Sequence, residues 1–216
     1  MTQDKIFTKG VIELEKRGSL DVSQKKALLD FLKTNAQLVG EYDQSTIFIE
    51  SGSAYLGQIQ NTKHSIALMQ KVDCVSGVRE VELKVKSGKM QKSDRVERRM
   101  WIHPEDIIST AHLFKVFGIT HGCPRYYHRY DYTYGGYSIS IKEGGYAPDH
   151  FEIESIVEHA KNIAEVESGM IQFAAAHGLR LYSDEEYKAI MLGTFDAYPP
   201  VELTEELLRT FYGMSA

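Results

Sequence analysis

The sequence predicts an α+β protein whose strands form a closed antiparallel barrel, a tunnel of about eight strands with a polar lumen and about five flanking helices. Three observations lead to this prediction. Runs of strand-like segments and helical segments both occur along the chain, without the regular alternation of a βαβ fold. The strand-like segments alternate apolar and polar residues. Their polar faces carry both signs of charge, as in Glu80, Glu82, Lys84 and Lys86.

Alternation and helical spacing locate the elements of the N-terminal half. Residues 11–17 alternate apolar and charged residues and predict a strand. Residues 22–39 carry apolar residues at helical spacing and predict a helix that ends at Gly40. Short strands are expected over residues 46–50, 55–60 and 65–71, and longer ones over residues 78–86 and 95–102.

Helix signals and a hairpin define the second half. Pro104 suits the first turn of a helix that runs through Phe117 and ends at Gly118. A strand over 125–134, a turn at Gly135-Gly136 and a strand over 137–142 predict a hairpin. The remaining elements are a strand over 150–154 and helices over 156–177, 184–192 and 203–212. A capping box of Ser183 and Glu186 marks the start of the helix over 184–192.

Composition excludes several classes of protein. The 216 residues are 43% hydrophobic and 25% charged, which excludes collagen-like, coiled-coil and disordered chains. A net charge of -5 argues against long nucleic acid as a partner but permits a small anionic ligand. Two cysteines far apart exclude a disulfide framework and favour a cytoplasmic location. The chain shows neither a signal-like N-terminal segment nor an apolar run of about 18 residues, so no membrane span is expected.

The charged strand faces have two interpretations. A single such face is usually solvated, and strands of that kind would suit a plain α+β interaction protein. Repetition over many strands favours a polar lumen instead, with the apolar faces turned outward under the helices. Carboxylates two residues apart, such as Glu13/Glu15 and Glu152/Glu154, point the same way and can hold a hard divalent cation. Lysine and arginine on neighbouring strands clamp phosphate oxygens, so a polyphosphate–metal site is predicted.

Two segments of this chain resemble the CYTH family, also called triphosphate tunnel metalloenzymes. Near the N-terminus, Glu13, Glu15 and Arg17 follow the family's Glu-x-Glu-x-Lys/Arg strand and precede a helix. Residues 125–191 follow the family order of a basic-aromatic strand, a Gly-Gly turn, a second strand, the strand Phe-Glu-Ile-Glu and two helices. The chain has no Gly-x-x-x-x-Gly-Lys-Ser/Thr loop, so a phosphate site of that other kind is not expected.

The resemblance implies an eight-stranded antiparallel tunnel that binds a triphosphate on basic residues and Mg²⁺ or Mn²⁺ on acidic ones. It implies a metal role for five acids, namely Glu13, Glu15, Glu97, Glu152 and Glu154. The resemblance implies a catalytic role for Glu13, Glu15, Arg17 and Lys84 and a substrate-binding role for Arg95 and Arg129. The charge pattern of the strands adds Lys86, Arg125 and Lys142 to the predicted substrate-binding set. The resemblance covers about residues 11–191. We expect one tunnel domain over residues 1–194, with residues 195–216 as a helical extension of that domain, in a monomer or homodimer.

Two positions depart from the family pattern. Where the family has an Arg-x-Arg strand after the first helix, the best match is Gln58 and Gln60, unless Lys84 and Lys86 take that place. Lys142 stands where the family has an aspartate, which would weaken metal binding and strengthen anion binding. Three functions stay open: a metal-dependent phosphohydrolase of a triphosphate substrate, a class IV-type adenylyl cyclase that makes cyclic AMP from ATP, and a non-catalytic nucleotide or polyphosphate binding module.

The long strand over 125–134 raises two further alternatives. Arg125 and Arg129 share a face with Asp131, so a cross-strand ion-pair ladder is an alternative to substrate binding. The opposite face is aromatic and carries Tyr126, His128, Tyr130, Tyr132 and Tyr134. Packing of these rings under a helix is the first interpretation, and stacking on a base or sugar at the tunnel mouth is the second.

Overall fold

A computed structural model describes residues 11–50, 64–87, 95–144, 148–157 and 163–214. The strands in these residues are β1 (Val11–Ser19), β2 (Gln37–Glu50), β3 (His64–Asp73), β4 (Arg79–Ser87), β5 (Arg95–Ile102), β6 (His121–Tyr134), β7 (Tyr137–Glu143), β8 (His150–Val157) and β9 (Val201–Glu202). The helices are α1 (Val22–Asn35), α2 (Ile107–Val116), α3 (Ile163–Ala176), α4 (Asp184–Ala197) and α5 (Glu205–Phe211), and a 3₁₀ turn at Pro104–Asp106 precedes α2.

All strand pairings in the described residues are antiparallel, and the sheet curls strongly. The strand order is β2-β3-β4-β5-β1-β8-β7-β6-β9, and β2 pairs in addition with β6 from Gln37↔Thr133 to Glu50↔His121. The first and last of the eight long strands are therefore neighbours. The prediction of an α+β fold with a curled, eight-stranded antiparallel sheet and flanking helices is confirmed.

The finer prediction, a closed barrel, is not confirmed. Strands β1 and β5 share a short seam of three register pairs, Val11↔Glu97 to Glu13↔Arg95. Further along β1, residues 180–182 lie against the strand instead, and the N–H of Tyr182 donates to the carbonyl of Arg17 at 2.8 Å. The described part of the chain thus forms a curled half-barrel whose weakest join is between β1 and β5.

Gly18 of β1 provides a test of this edge packing. A Cβ at this position would lie 1.9 Å from the carbonyl oxygen of Arg180 and 2.6 Å from the ring of Phe151. The oxygen belongs to the backbone, so it cannot turn away as a flexible side chain would. We expect Gly18→Ala to lower the free energy of unfolding by about 1–3 kcal/mol, measured by urea denaturation. Gly193→Ala, where a Cβ meets nothing within 4 Å, is the control, and equal stability of the two variants would contradict the packing.

The apolar faces of the strands are covered by the helices. One buried cluster places Leu14, Ile139, Ile141, Phe151 and Ile153 of the sheet against Leu28 and Leu32 of α1 and Met170 and Phe173 of α3. A second cluster places Ile47, Leu68 and Val81 against Ile107 and Ala111 of α2 and against Leu203, Leu208 and Tyr212 near the C-terminus. In both clusters the apolar side of the strands is buried under helices. The charged side of the strands therefore lies on the inner side of the curled sheet.

Several element boundaries differ from the sequence-based predictions. The first helix ends at Asn35, because Ala36 is extended and β2 starts at Gln37 to pair with β6. The predicted helix over 156–177 starts at Ile163, since Ile156 and Val157 continue β8 beside β1. Helix α4 continues to Ala197, whereas its predicted end was residue 192, and the capping box of Ser183 and Glu186 is confirmed. The predicted strand over 55–60 lies outside the described residues.

None of the described helices combines the length and the apolar character needed to cross a membrane.

Candidate functional site

The inner side of the curled sheet carries charged residues from at least six strands. The sequence-predicted residues that meet there are Glu13, Glu15 and Arg17 of β1, Lys84 and Lys86 of β4, Glu97 of β5, Arg129 of β6, Lys142 of β7, and Glu152 and Glu154 of β8. Contacts between strands that are not neighbours show that the residues face one another. Lys86 Nζ lies 2.7 Å from Glu13 Oε2, although β5 separates β4 from β1 in the sheet.

Three of these acids form a compact carboxylate trio, Glu15, Glu152 and Glu154. One carboxylate oxygen of each lies within 4.8 Å of the others. The sheet register creates the trio, because Glu15 is the direct partner of Glu154 and β8 then places Glu152 two residues away on the same face. Burial, followed by the charges of Glu15 and Glu152, raises the pKa of Glu154 to about 7. A divalent cation would relieve this repulsion, and three carboxylates are the ligand chemistry that Mg²⁺ or Mn²⁺ prefers.

Two cations neutralise the other members of the trio. Arg17 forms ion pairs with Glu15 and, through Nε at 3.0 Å, with Glu152 Oε1. Lys142 Nζ lies 2.5 Å from Glu152 Oε2. Burial alone would raise the pKa of Glu152, but the charges of Lys142 and Arg17 outweigh it and hold the pKa well below its usual range. Lys142, at the position where the family has an aspartate, is thus bound to a trio carboxylate.

Lys86 connects the trio to the acids of the neighbouring strands. Its Nζ lies 2.7 Å from Glu13, 3.2 Å from Glu97 and 3.4 Å from Glu15. Glu97 is 2% exposed, and although burial opposes ionisation, the charges of Lys84 and Lys86 lower its pKa. Burial raises the pKa of Glu13, and Lys86 offsets part of that effect.

A cavity of about 400 Å³ adjoins this network, inside the sheet. Among the described residues, four basic side chains line it, namely Lys71, Lys84, Arg99 and Arg129. Three acidic side chains also line it, namely Glu13, Asp131 and Glu154. Burial and the charge of Arg129 lower the pKa of Lys71 to about 8. An anion bound in the cavity would favour the charged form of that lysine, so the cavity is suited to a small polyanion.

Arg129 is held in place by its neighbours. Its Nε lies 2.5 Å from Asp131 Oδ1, and its two terminal nitrogens donate to Gln44 Oε1 at 3.1 Å and to Ser140 Oγ at 2.8 Å. The ion pair with Asp131 lies within β6 and is not the cross-strand ladder that the sequence left open. It does not remove Arg129 from the cavity wall, because one guanidinium can serve several acceptors.

Three described residues at the site are outside the sequence-predicted set of site residues. Lys71 lies near the end of β3 and faces Asp131 across β2, with 3.4 Å between Nζ and Oδ2. Arg99 lies two residues from Glu97 on the same face of β5 and forms an ion pair with it, so strand alternation was a signal for it. Tyr187 of α4 stacks under Arg17, with 4.5 Å from the guanidinium carbon to the ring centre, and no local signal points to that contact.

Arg125 lies on the same face of β6 as Arg129 but is not among the residues that line the cavity. Arg125 is 1% exposed, and its Nη1 donates to the carbonyl of Pro124 at 2.8 Å. The backbone of Arg95 is in register with Glu13, but its side chain is not among those described. Gln58 and Gln60 lie outside the described residues as well.

The aromatic face of β6 lies on the outside of the sheet. Tyr132 is buried in the cluster with α1 and α3, and Tyr130 and Tyr134 pack against that cluster. Tyr126 is 43% exposed, and its hydroxyl donates to Asp43 at 2.7 Å. The first interpretation, packing under helices, therefore applies to the buried tyrosines. Stacking of a base or sugar on this face stays a prediction.

Comparisons with known proteins identify the fold. No family model and no curated protein matches the chain. Among solved structures, a protein from Pyrococcus horikoshii has a TM-score of 0.68 at 18% identity, over 84% of this chain and 98% of its own. A candidate adenylate cyclase from Vibrio parahaemolyticus has a TM-score of 0.62 at 14% identity, over 94% and 99%. A candidate adenylyl cyclase from Hippeastrum with a dominant triphosphatase activity has a TM-score of 0.51 at 16% identity, over 95% and 97%. The chain therefore shares its fold with two candidate adenylyl cyclases, one of which has triphosphatase activity.

Proposed function

We propose that this protein is a triphosphate tunnel metalloenzyme, a divalent-metal-dependent phosphohydrolase that acts on a small triphosphate-containing molecule bound inside the curled sheet. The observation that carries the proposal is the cavity of about 400 Å³ with four basic side chains on its wall and the carboxylate trio beside it. Cations that bind phosphate next to acids that bind a metal are the parts that phosphoryl transfer requires.

The basic residues divide into two groups with different roles. Lys71, Lys84, Arg99 and Arg129 line the cavity and would bind the phosphate oxygens. Arg17, Lys86 and Lys142 do not line the cavity, and their ion pairs with carboxylates would keep the acids ionised and in position. The second role differs from the sequence-based prediction, which placed Lys86 and Lys142 on the substrate.

The acidic residues would supply the metal site and the proton acceptor. Glu15, Glu152 and Glu154 have the donor atoms and spacing for Mg²⁺ or Mn²⁺. A bound metal would offset the charge of the phosphate chain and polarise its terminal phosphoryl group. Glu13 lines the cavity with a raised pKa, which suits it to take a proton from water as the water oxygen bonds to the terminal phosphorus and the bridging P–O bond breaks.

Adenylyl cyclase activity is the second candidate, because two solved structures of the same fold are candidate adenylyl cyclases. In that reaction the ribose 3′-hydroxyl attacks the α-phosphorus and pyrophosphate leaves. Chromatography of the products from ATP and Mg²⁺ or Mn²⁺ distinguishes the two activities, since hydrolysis gives ADP and phosphate whereas cyclisation gives cyclic AMP. If tripolyphosphate, thiamine triphosphate and ATP are all bound but remain intact, the protein is a binding module and the hydrolase proposal is wrong.

Lys71→Met tests the role of the cavity. We expect KM for the triphosphate to rise about 10- to 100-fold, because one charge-assisted contact is lost. The fold should tolerate the change, since Asp131 keeps its pairing with Arg129 and burial already disfavours the charge of Lys71. Steady-state kinetics measure the effect, and Lys33→Met on the exposed side of α1 is the matched control. An unchanged KM in Lys71→Met would place the substrate outside this cavity.

A further inference from the structure

A second group of metal-binding side chains lies on the outer face of the sheet, outside the cavity. It consists of Glu41 on β2, Cys74 in the turn between β3 and β4, and His128 on β6. One ligand atom of each lies within 4.8 Å of the others. This outer triad contains a sulfur, a nitrogen and an oxygen donor, whereas the trio inside the sheet has oxygen donors alone.

The imidazole of the outer triad is already oriented for a metal. His128 Nδ1 lies 3.0 Å from Asp43 Oδ1, and its Nε2 lies 3.0 Å from Glu41 Oε1. Asp43 is itself fixed by the hydroxyl of Tyr126 at 2.7 Å. A carboxylate that accepts from one ring nitrogen sets the tautomer and leaves the other nitrogen as a ligand, as in carboxylate–histidine–zinc arrangements. Nε2 then points toward Glu41, a member of the triad.

Cys74 is also held in place. Its backbone N–H donates to the carbonyl of Glu41 at 2.9 Å, which fixes the turn beside β2. Asp73 stabilises the same turn by accepting from the N–H groups of Val75 at 3.1 Å and Ser76 at 2.6 Å. The thiol side chain is exposed, so an ion from solvent can reach it.

We propose that Cys74, His128 and Glu41 bind a Zn²⁺ ion, with Asp43 positioning His128 and a water molecule completing four-fold coordination. Thiolate, imidazole and carboxylate are the ligands that zinc uses, while Mg²⁺ avoids sulfur. The ion would join β2, β6 and the turn between β3 and β4 from the outside. It would therefore stabilise the β2–β6 pairing, which brings the two ends of the eight-strand order together.

Cobalt spectroscopy tests the proposal, because Co²⁺ bound to a thiolate shows a near-ultraviolet sulfur-to-metal charge-transfer band that carboxylate sites lack. We expect wild-type protein with excess Mg²⁺ to show the band at one Co²⁺ per chain, and Zn²⁺ to abolish it. Cys74→Ser should lose the band, while Cys123→Ala, which removes the buried cysteine, should keep it. A wild-type protein without the band, or a Cys74→Ser variant that retains it, would overturn the proposal.

Two further variants separate this site from its alternatives. An imidazolium paired with both carboxylates would use the same contacts without a metal, and the wild-type protein would then bind no Co²⁺ at these residues. Under the proposal, Asp43→Asn weakens Co²⁺ binding about 10- to 100-fold through the loss of a positioning carboxylate. Lys71→Met should keep the cobalt band whether or not its KM for the triphosphate rises. Cys74→Ser should keep wild-type turnover of the triphosphate. The cobalt experiment therefore tests the outer site independently of the proposed enzyme activity.

Discussion

Glu152→Gln is expected to lower the free energy of unfolding by about 3–5 kcal/mol and to abolish triphosphate turnover. Glu152 is 5% exposed. It accepts from Lys142 Nζ at 2.5 Å and from Arg17 Nε at 3.0 Å. A neutral amide would leave two cations facing each other in the interior with one anion fewer between them. Urea denaturation measures the stability, and phosphate release measures the activity.

A double variant tests whether the unpaired charge of Lys142 causes the expected loss of stability. In Glu152→Gln/Lys142→Met, both partners of the buried pair are removed, so most of the stability should return while turnover stays absent. Glu167→Gln is the matched control, because its ion pair with Lys16 is partly exposed on the outside of the sheet, and we expect it to cost less than about 1 kcal/mol. If the free energy of unfolding of Glu152→Gln were no lower than that of Glu167→Gln, the ion pairs of Glu152 would contribute no more to stability than a partly exposed pair.

Strand alternation made much of the site predictable. Once β1 is a strand, Glu13, Glu15 and Arg17 must share one face, and Leu14 must lie on the other. The same argument placed Glu152 and Glu154 together on β8. Repetition of both charges over several strands indicated that these faces meet, and the cross-strand contact of Lys86 with Glu13 is what that hypothesis requires.

Local sequence patterns could not predict the contacts that depend on the curvature of the sheet. Lys71 reaches Asp131 across β2 because the sheet bends there, and the sequence contains no measure of that bend. Arg17 meets Tyr187 because α4 packs at the end of β1, which is a tertiary contact between distant segments. Residues 36–39 have helical apolar spacing, but pairing with β6 gives them a hydrogen-bond ladder that overrides the local preference.

Glu154→Gln is expected to stabilise the metal-free protein at high pH. The pKa of Glu154 is about 7 in the folded protein, against a usual value of 4.5. Between these values the folded chain keeps a proton that the unfolded chain has released, so this group lowers stability progressively as pH rises from about 4.5 to about 7. Glutamine carries no charge at any pH. We expect the variant to exceed wild type by about 1–3 kcal/mol at pH 8 and to equal it near pH 4.5, measured by urea denaturation without added metal.

Added metal should reverse the order of the two proteins. A divalent cation at the carboxylate trio favours ionised Glu154, so Mg²⁺ or Mn²⁺ should stabilise wild type at pH 8 and bind more tightly as pH rises through about 7. Glu154→Gln loses one of the three carboxylates, and we expect the metal concentration for half-maximal activation to rise about 100-fold. Glu165→Gln, on the exposed side of α3, controls for removal of a charge. Identical pH profiles for Glu154→Gln and wild type would show that Glu154 does not share the repulsion of the trio, and the metal would then have to be placed elsewhere.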